Sequence, residues 1–311
     1  MEMELPRLQF LNHEEINKIK WDQRLLSAAN GLPYACSWYL DAVTQENWSA
    51  LVSSDYTWLM PLPVKSKFLI QYLPTPIFVQ QLGIFGPGPF SPELSLHFIN
   101  HFPDSIKFIE YQFNSMNPVD QSEQFSIRER VNLILPLHKE RGECIHSFSE
   151  NTVRNIRKAE QAKLRYGTSS IRGIINLFQE NKQAELTNWK AEYNTIIERV
   201  YNMSALRNCG RAIGIYNPDG VLLAGAFVCE WKDRSVFLFS GNSEEGKSVG
   251  AMPALIYNYI LEIPEQITIF DFEGSDDEGL QRFYRSFGAI ESNYVHLKKN
   301  QLPNYLRWLK P

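Results

Sequence analysis

No apolar run in this 311-residue chain approaches the ~20 residues that a membrane-spanning helix needs. Its first ten residues, MEMELPRLQF, have neither the basic start nor the apolar centre of a secretory signal. There is no excess of positive charge. With 31 Lys and Arg against 35 Asp and Glu the formal charge is −4, so any nucleic-acid partner would have to be held by a local patch. The four cysteines, Cys36, Cys144, Cys209 and Cys229, are widely spaced and form no C-x-x-C pair, which predicts reduced, buried thiols. A G-x-S-x-G elbow and a dinucleotide fingerprint are both missing, so no motif supports a serine hydrolase or a nicotinamide enzyme. His97 and His101 stand four apart on a predicted helix and could share a metal, but no third ligand is evident and no metal is expected. Together these absences predict a soluble, cytoplasmic protein with no transmembrane segment.

What is present is ample core material: 44% hydrophobic and 13% aromatic residues, in a chain long enough for two domains. Periodicity predicts a helix at Ser37–Val43, strands at Ser49–Val52, Thr57–Val64, Phe68–Leu73 and Ile77–Phe85, a helix at Pro92–Phe102, and strands at Ile106–Phe113 and Val131–Leu137. A helix over Glu150–Lys163 and two further helical runs to about Leu206 follow. Strands Ala212–Tyr216 and Val221–Trp231 flank the turn Asn217-Pro-Asp-Gly220, and Ser235–Ser240 pairs next. A helix (Val249–Leu261), a strand (Ile267–Glu273), a helix (Asp276–Ser286) and a strand (Asn293–Leu297) complete the chain. Each half thus runs through an antiparallel meander, a helix and a further strand. This predicts two α+β domains of one kind, 1–140 and 141–311, each built on a mixed sheet; a single continuous mixed sheet is the alternative.

Three stretches carry candidate chemistry. In Asp271-Phe-Glu-Gly-Ser-Asp-Asp-Glu278, Ser275 and Glu278 match a capping box, and Asp276 and Asp277 suit the positive end of a helix. Asp271 and Glu273 remain, alternating with phenylalanines, so both are expected on one sheet face at the strand's C-terminal end. In Phe239-Ser-Gly-Asn-Ser-Glu-Glu-Gly-Lys-Ser-Val-Gly250, a strand passes through a Gly- and Ser-rich loop into a helix, an arrangement suited to phosphate, with Lys247 adding charge. On the helix from Glu150, Arg154, Arg157, Lys158 and Gln161 form a polar, basic stripe. Each has a plainer reading: an emerging strand end, an ordinary strand-to-helix turn, and a solvated helix face.

The order Asn151-x-x-Arg154-Asn155-Ile156-Arg157-Lys158-Ala159, then Gly250-Ala-Met252 opening a helix, then Asp271-Phe-Glu-Gly274 and Arg282-Phe-Tyr-Arg-Ser-Phe-Gly288, resembles the Fem-type branch of the GNAT acyltransferases. Gln80-Gln-Leu-Gly-Ile-Phe-Gly-Pro87 resembles that branch's first-domain strand and Gly-Pro loop. The resemblance implies two tandem GNAT-like domains and transfer of an acyl group to an amine held in a cleft between them. Lys247-Ser-Val-Gly250-Ala-Met252 matches the GNAT pyrophosphate loop loosely, and Phe283-Tyr284 stands where Fem-type enzymes often place Phe-Lys. On this basis Asp271 or Glu273 would accept the amine proton, and Tyr284 would donate to the oxyanion or leaving group. Ser240, Asn242, Lys247 and Gly250 would hold the donor. Gln80, Gln81, Arg154, Arg157, Lys158 and Arg285 would hold substrate. Acyl-CoA or acetyl-CoA is the expected co-substrate and a small-molecule or cell-envelope-precursor amine the acceptor. Aminoacyl-tRNA is the second choice of donor, and a non-catalytic GNAT-like binding module is the reading of another class.

Overall fold

The computed structural model describes residues 5–67, 70–182, 189–274 and 276–303. The chain divides into two compact units, Met1–Arg130 with Asn293–Pro311, and Val131–Ser292. The boundary expected at residue 140 therefore falls ten residues late, and the end of the chain belongs with its beginning.

In chain order the elements are β1 (Leu8–Leu11), α1 (Lys18–Ser27), α2 (Ser37–Thr44), β2 (Ser49–Ser53), β3 (Leu59–Leu62), β4 (Lys65–Lys67), β5 (Ile70–Pro74), α3 (Pro92–Asn100), β6 (Ile106–Phe113) and β7 (Ser126–Arg130). The second unit contributes β8 (Leu133–Pro136), α4 (Glu150–Gln161), β9 (Arg165–Thr168), α5 (Ile171–Lys182), α6 (Ala191–Ala205), β10 (Gly210–Tyr216), β11 (Leu222–Trp231), β12 (Arg234–Asn242), α7 (Glu244–Val249), α8 (Ala251–Glu262), β13 (Ile269–Asp271), α9 (Glu278–Arg285) and β14 (Ile290–Glu291). Then β15 (Tyr294–Asn300) follows.

The first unit holds a three-stranded antiparallel sheet, β1-β2-β3, and a five-stranded mixed sheet, β4-β5-β6-β15-β7. In the latter only β5 and β6 are parallel, and α3 lies in the connection between them. Ser91 caps α3 by accepting from the Leu94 amide, and Pro92 sits at its first position, where a missing N–H costs nothing. Two expectations fail here. The apolar run 77–85 is not a strand: beyond isolated bridges at Leu82 and Phe85 it is irregular chain, buried from Val79 onward. The strand expected at Val131–Leu137 is β8 and pairs in the second unit, while the strand expected to finish the second domain is β15, inserted between β6 and β7.

The second unit is a seven-stranded mixed sheet, β14-β8-β13-β12-β11-β10-β9, with β12 and β13 the parallel pair. On one face packs α8, buried over most of its circumference because Ala251-Met-Pro-Ala-Leu-Ile256 offers no polar side; Ala224, Ala226 and Val228 of β11 belong to this core. The opposite face takes α5. There Gly214, Gly225 and Gly241 stand directly opposite one another on β10, β11 and β12. A Cβ at Gly225 would meet Ile174 Cγ1 at 2.8 Å, and one at Gly241 would meet the Phe178 amide nitrogen at 2.7 Å. The glycine row is the bed in which α5 lies. The Asn217–Gly220 turn forms as expected, with the Asn217 side chain accepting from the Asp219 and Val221 amides and Gly220 at φ +85°.

Candidate active site

At the C-terminal end of β12 the sheet opens into a cavity of about 680 Å³, lined entirely by the second unit. Its wall is set by a bulge. Phe227 faces Phe239 and Val228 faces Phe237, so Leu238 has no partner in the ladder, and Phe237, Leu238 and Phe239 all reach the cavity in succession. From α5, held low by the glycine row, come Phe178 and Asn181; from α4 comes Asn155; from α9 come Leu280, Phe283 and Tyr284.

Six of the expected residues meet here: Glu273, Tyr284, Ser240, Asn242, Lys247 and Gly250. Glu273 has φ +58°, a left-handed conformation that costs a side-chain-bearing residue on the order of 1 kcal/mol or more. Its amide donates to Asp271 Oδ1 at 2.9 Å, which fixes the turn. Tyr284 is buried, its ring stacked on Phe272 at 4.7 Å and 18°. Burial first, and the Glu273 carboxylate second, push its phenol above the ordinary tyrosine range, so at neutral pH it is protonated and can donate. Asn242 lines the cavity, and its Oδ1 atom is buried against Gly246 with no hydrogen-bond partner among the described residues. Lys247 is half-exposed and paired with Glu244 one turn before it.

Other expectations are corrected. Asp271 does not share a face with Glu273, because β13 ends at Asp271 and the backbone then turns left-handed. Its side chain is 1% exposed and engages Arg234 at 2.5 Å, so it is a buried support of the Glu273 turn rather than a proton acceptor. Gly250, at φ +77°, is demanded by helix packing: a Cβ there would lie 2.3 Å from the Asn155 carbonyl oxygen. Arg285 turns outward to Glu291 and Gln281. Arg154, Arg157 and Lys158 are exposed on α4 and do not line the cavity; Arg154 donates to Asn151 at 2.6 Å. Gln80 and Gln81 are buried in the first unit, where the Gln81 amide donates to Gln80 and accepts from the Ser115 amide. The N-cap of α9 is Asp277, accepting from Leu280 N at 2.8 Å; Ser275, the expected cap, lies outside the described residues. His97 and His101 bond backbone carbonyls, of Pro6 and His97 respectively. All four cysteines are outside disulfides, Cys209 partly exposed and the other three buried.

No protein-family model matches the sequence, and no curated protein matches it significantly. Solved structures do share its fold. FemX superposes with a TM-score of 0.65 over 97% of this chain and 99% of its own, at 13% identity. A tandem GNAT protein from the clavulanic acid biosynthesis pathway gives 0.53 over 96% and 100%, at 10% identity. L-PGS from Bacillus licheniformis gives 0.51 over 85% and 88%, at 10% identity. The chain thus shares the fold of FemX and of a tandem GNAT protein. No helix among the described residues is long and apolar enough to cross a membrane.

Proposed function

We propose that the protein is an N-acyltransferase whose chemistry occurs in the second-unit cavity. The observation that carries this reading is that a strained glutamate and a buried, protonated tyrosine line one cavity together with Asn242. Likeness of fold to FemX and to a tandem GNAT protein supports the class of reaction.

In this reading an amine attacks the carbonyl carbon of an acyl thioester. Glu273 takes the amine proton, directly or through one water. Tyr284 donates to the carbonyl oxygen as it becomes an oxyanion, beside Leu238, the bulged residue of the cavity wall. Collapse expels the thiolate, which Tyr284 or solvent protonates. Asn242 accepts an N–H from the donor's arm, and Ser240 and Lys247 hold its polar end at the rim. Arg154, Arg157 and Lys158 offer a basic surface on α4 to an anionic part of donor or acceptor. Acyl-CoA is the favoured donor, because neither the net charge of −4 nor any run of basic residues suits tRNA. The acceptor is an amine, small or part of a cell-envelope precursor, and the place of action is the cytoplasm.

The test is thermal unfolding with CoA, acetyl-CoA, longer acyl-CoAs and a UDP-linked muramyl peptide. At a hundred times its Kd the correct ligand adds about 2.7 kcal/mol of stability. Stabilisation by CoA species, lost in Asn242→Leu, is the expected result. Stabilisation by the muramyl peptide alone would move the donor to aminoacyl-tRNA, and no shift with any of them would favour a binding module without catalysis.

A further inference from the structure

The composition of the cavity goes further than the reaction class. Of its walls, Phe178, Phe237, Phe239, Phe272, Phe283 and Tyr284 are aromatic, while among the described residues Glu273 and Lys247 are the charged side chains that line it. The rings form two packed groups rather than a scatter. Phe272 lies 4.7 Å from Tyr284, Phe283 lies 5.7 Å from Tyr284, and Phe237 lies 6.5 Å from it. Phe178 and Phe239 are 4.8 Å apart, and Trp189 packs behind both at 4.7 and 6.0 Å. A cavity of about 680 Å³ is in the range that encloses a drug-sized ligand, and an acetyl group would leave most of this apolar wall unsatisfied.

We infer that the acyl group transferred is a bulky, apolar chain of about six carbons or more. This rests on the acyltransferase reading above. The acyl side is favoured over the acceptor because the side chain that would polarise the carbonyl, Tyr284, is buried within one of these groups, so whatever is bonded to the carbonyl carbon lies among rings. Glu273, which must meet the incoming amine, is partly exposed beside Gly274 and leaves an approach for a polar acceptor. The carbonyl carbon changes its bond from sulfur to nitrogen, the chain travels unchanged, and no oxidant or further reactant is needed.

The experiment is calorimetric titration of the full chain with three series, each from two to ten carbons: acyl-CoAs, acyl thioesters of N-acetylcysteamine, and n-alkylamines. Affinity for the thioesters should rise about fourfold per added methylene over the first members, then level off as the cavity fills. Quenching or shift of Trp189 fluorescence should accompany the longer chains. Leu280→Trp, which fills the cavity from α9, should weaken the decanoyl thioester at least tenfold more than the acetyl one. A chain-length slope with N-acetylcysteamine thioesters but no binding of any CoA ester would keep the inference and remove CoA as the carrier. Equal affinity for acetyl- and decanoyl-CoA would overturn the inference and leave the acyltransferase reading standing. A slope confined to the alkylamines would also overturn it, and absence of binding in all three series would overturn both.

Discussion

Each unit contains one parallel strand pair joined through a helical crossover, β5 to β6 in the first and β12 to β13 in the second, and the two crossovers are put to different uses. In the first, the chain after β5 is buried and its backbone is satisfied by asparagines. Asn117 Oδ1 accepts from the Ile84 amide at 2.7 Å, Asn30 donates to the Ile84 carbonyl at 2.7 Å, and Asn114 donates to the Leu82 carbonyl at 2.9 Å. In the second, a bulge and a glycine row hold the strands and α5 around an open volume, and the asparagine at the strand end has a buried oxygen with no partner among the described residues. A crossover closed by its own polar side chains is a structural element; one that opens onto a cavity is a candidate site.

Alkali separates the two units most strongly. Burial raises the phenols of Tyr111 in the first unit and of Tyr259 and Tyr284 in the second above their ordinary range. Because the folded values are the higher ones, the stability they confer is fully present below about pH 10, where the unfolded chain still holds its protons, and is lost as pH rises beyond it. By pH 11 the penalty is about 1.4 kcal/mol per phenol, hence, with Tyr166 also raised by burial, about 4 kcal/mol in the second unit and a third of that in the first. Hydrogen exchange followed unit by unit between pH 9 and 11 should show the second opening first; equal loss would break the comparison.

A second contrast sets asparagine against asparagine. Asn114→Leu strands the Met116 amide and breaks the side-chain bonds to Asn30 and Asn117, and should cost about 3 kcal/mol in denaturant unfolding. Asn242→Leu removes an atom that has no partner among the described residues and should change stability by no more than about 0.5 kcal/mol while abolishing donor binding. Similar losses for both would mean that Asn242 is structural.

Much of this was legible beforehand, and the failures have physical causes. Strand β6 was found at its observed ends because IKFIEYQF alternates apolar and polar residues with one break, at Phe108-Ile109. The exchange of β8 and β15 between units was not, since periodicity identifies a strand but not its partner. The run 77–85 was misread because a buried loop can be as apolar as a strand when side chains satisfy its backbone, and the asparagines that do so lie up to 54 residues away. Asp271 was misassigned because alternation presumes that the strand continues, whereas Glu273 is left-handed. Phe178 and Asn181 were missed altogether, as the buried face of a helix reads only as core; the available signal was the glycine in each of three consecutive strands.

Two substitutions within the cavity sharpen the comparison further. Tyr284→Phe keeps the stacked ring and removes only the donor, and should lower turnover about a hundredfold with an unchanged melting temperature. Glu273→Gly relieves the left-handed backbone and should raise stability by about 1 kcal/mol in denaturant unfolding while removing activity. A fall in stability would mean that the glutamate side chain holds the fold.

The most direct measurement is transfer by Glu273→Gln, with donor affinity determined on the same preparation. The account predicts unchanged donor affinity and at least a hundredfold loss of transfer, recovering with pH only as far as the free amine itself becomes available. Transfer at the wild-type rate would contradict it, and would place the proton acceptor elsewhere than in this cavity.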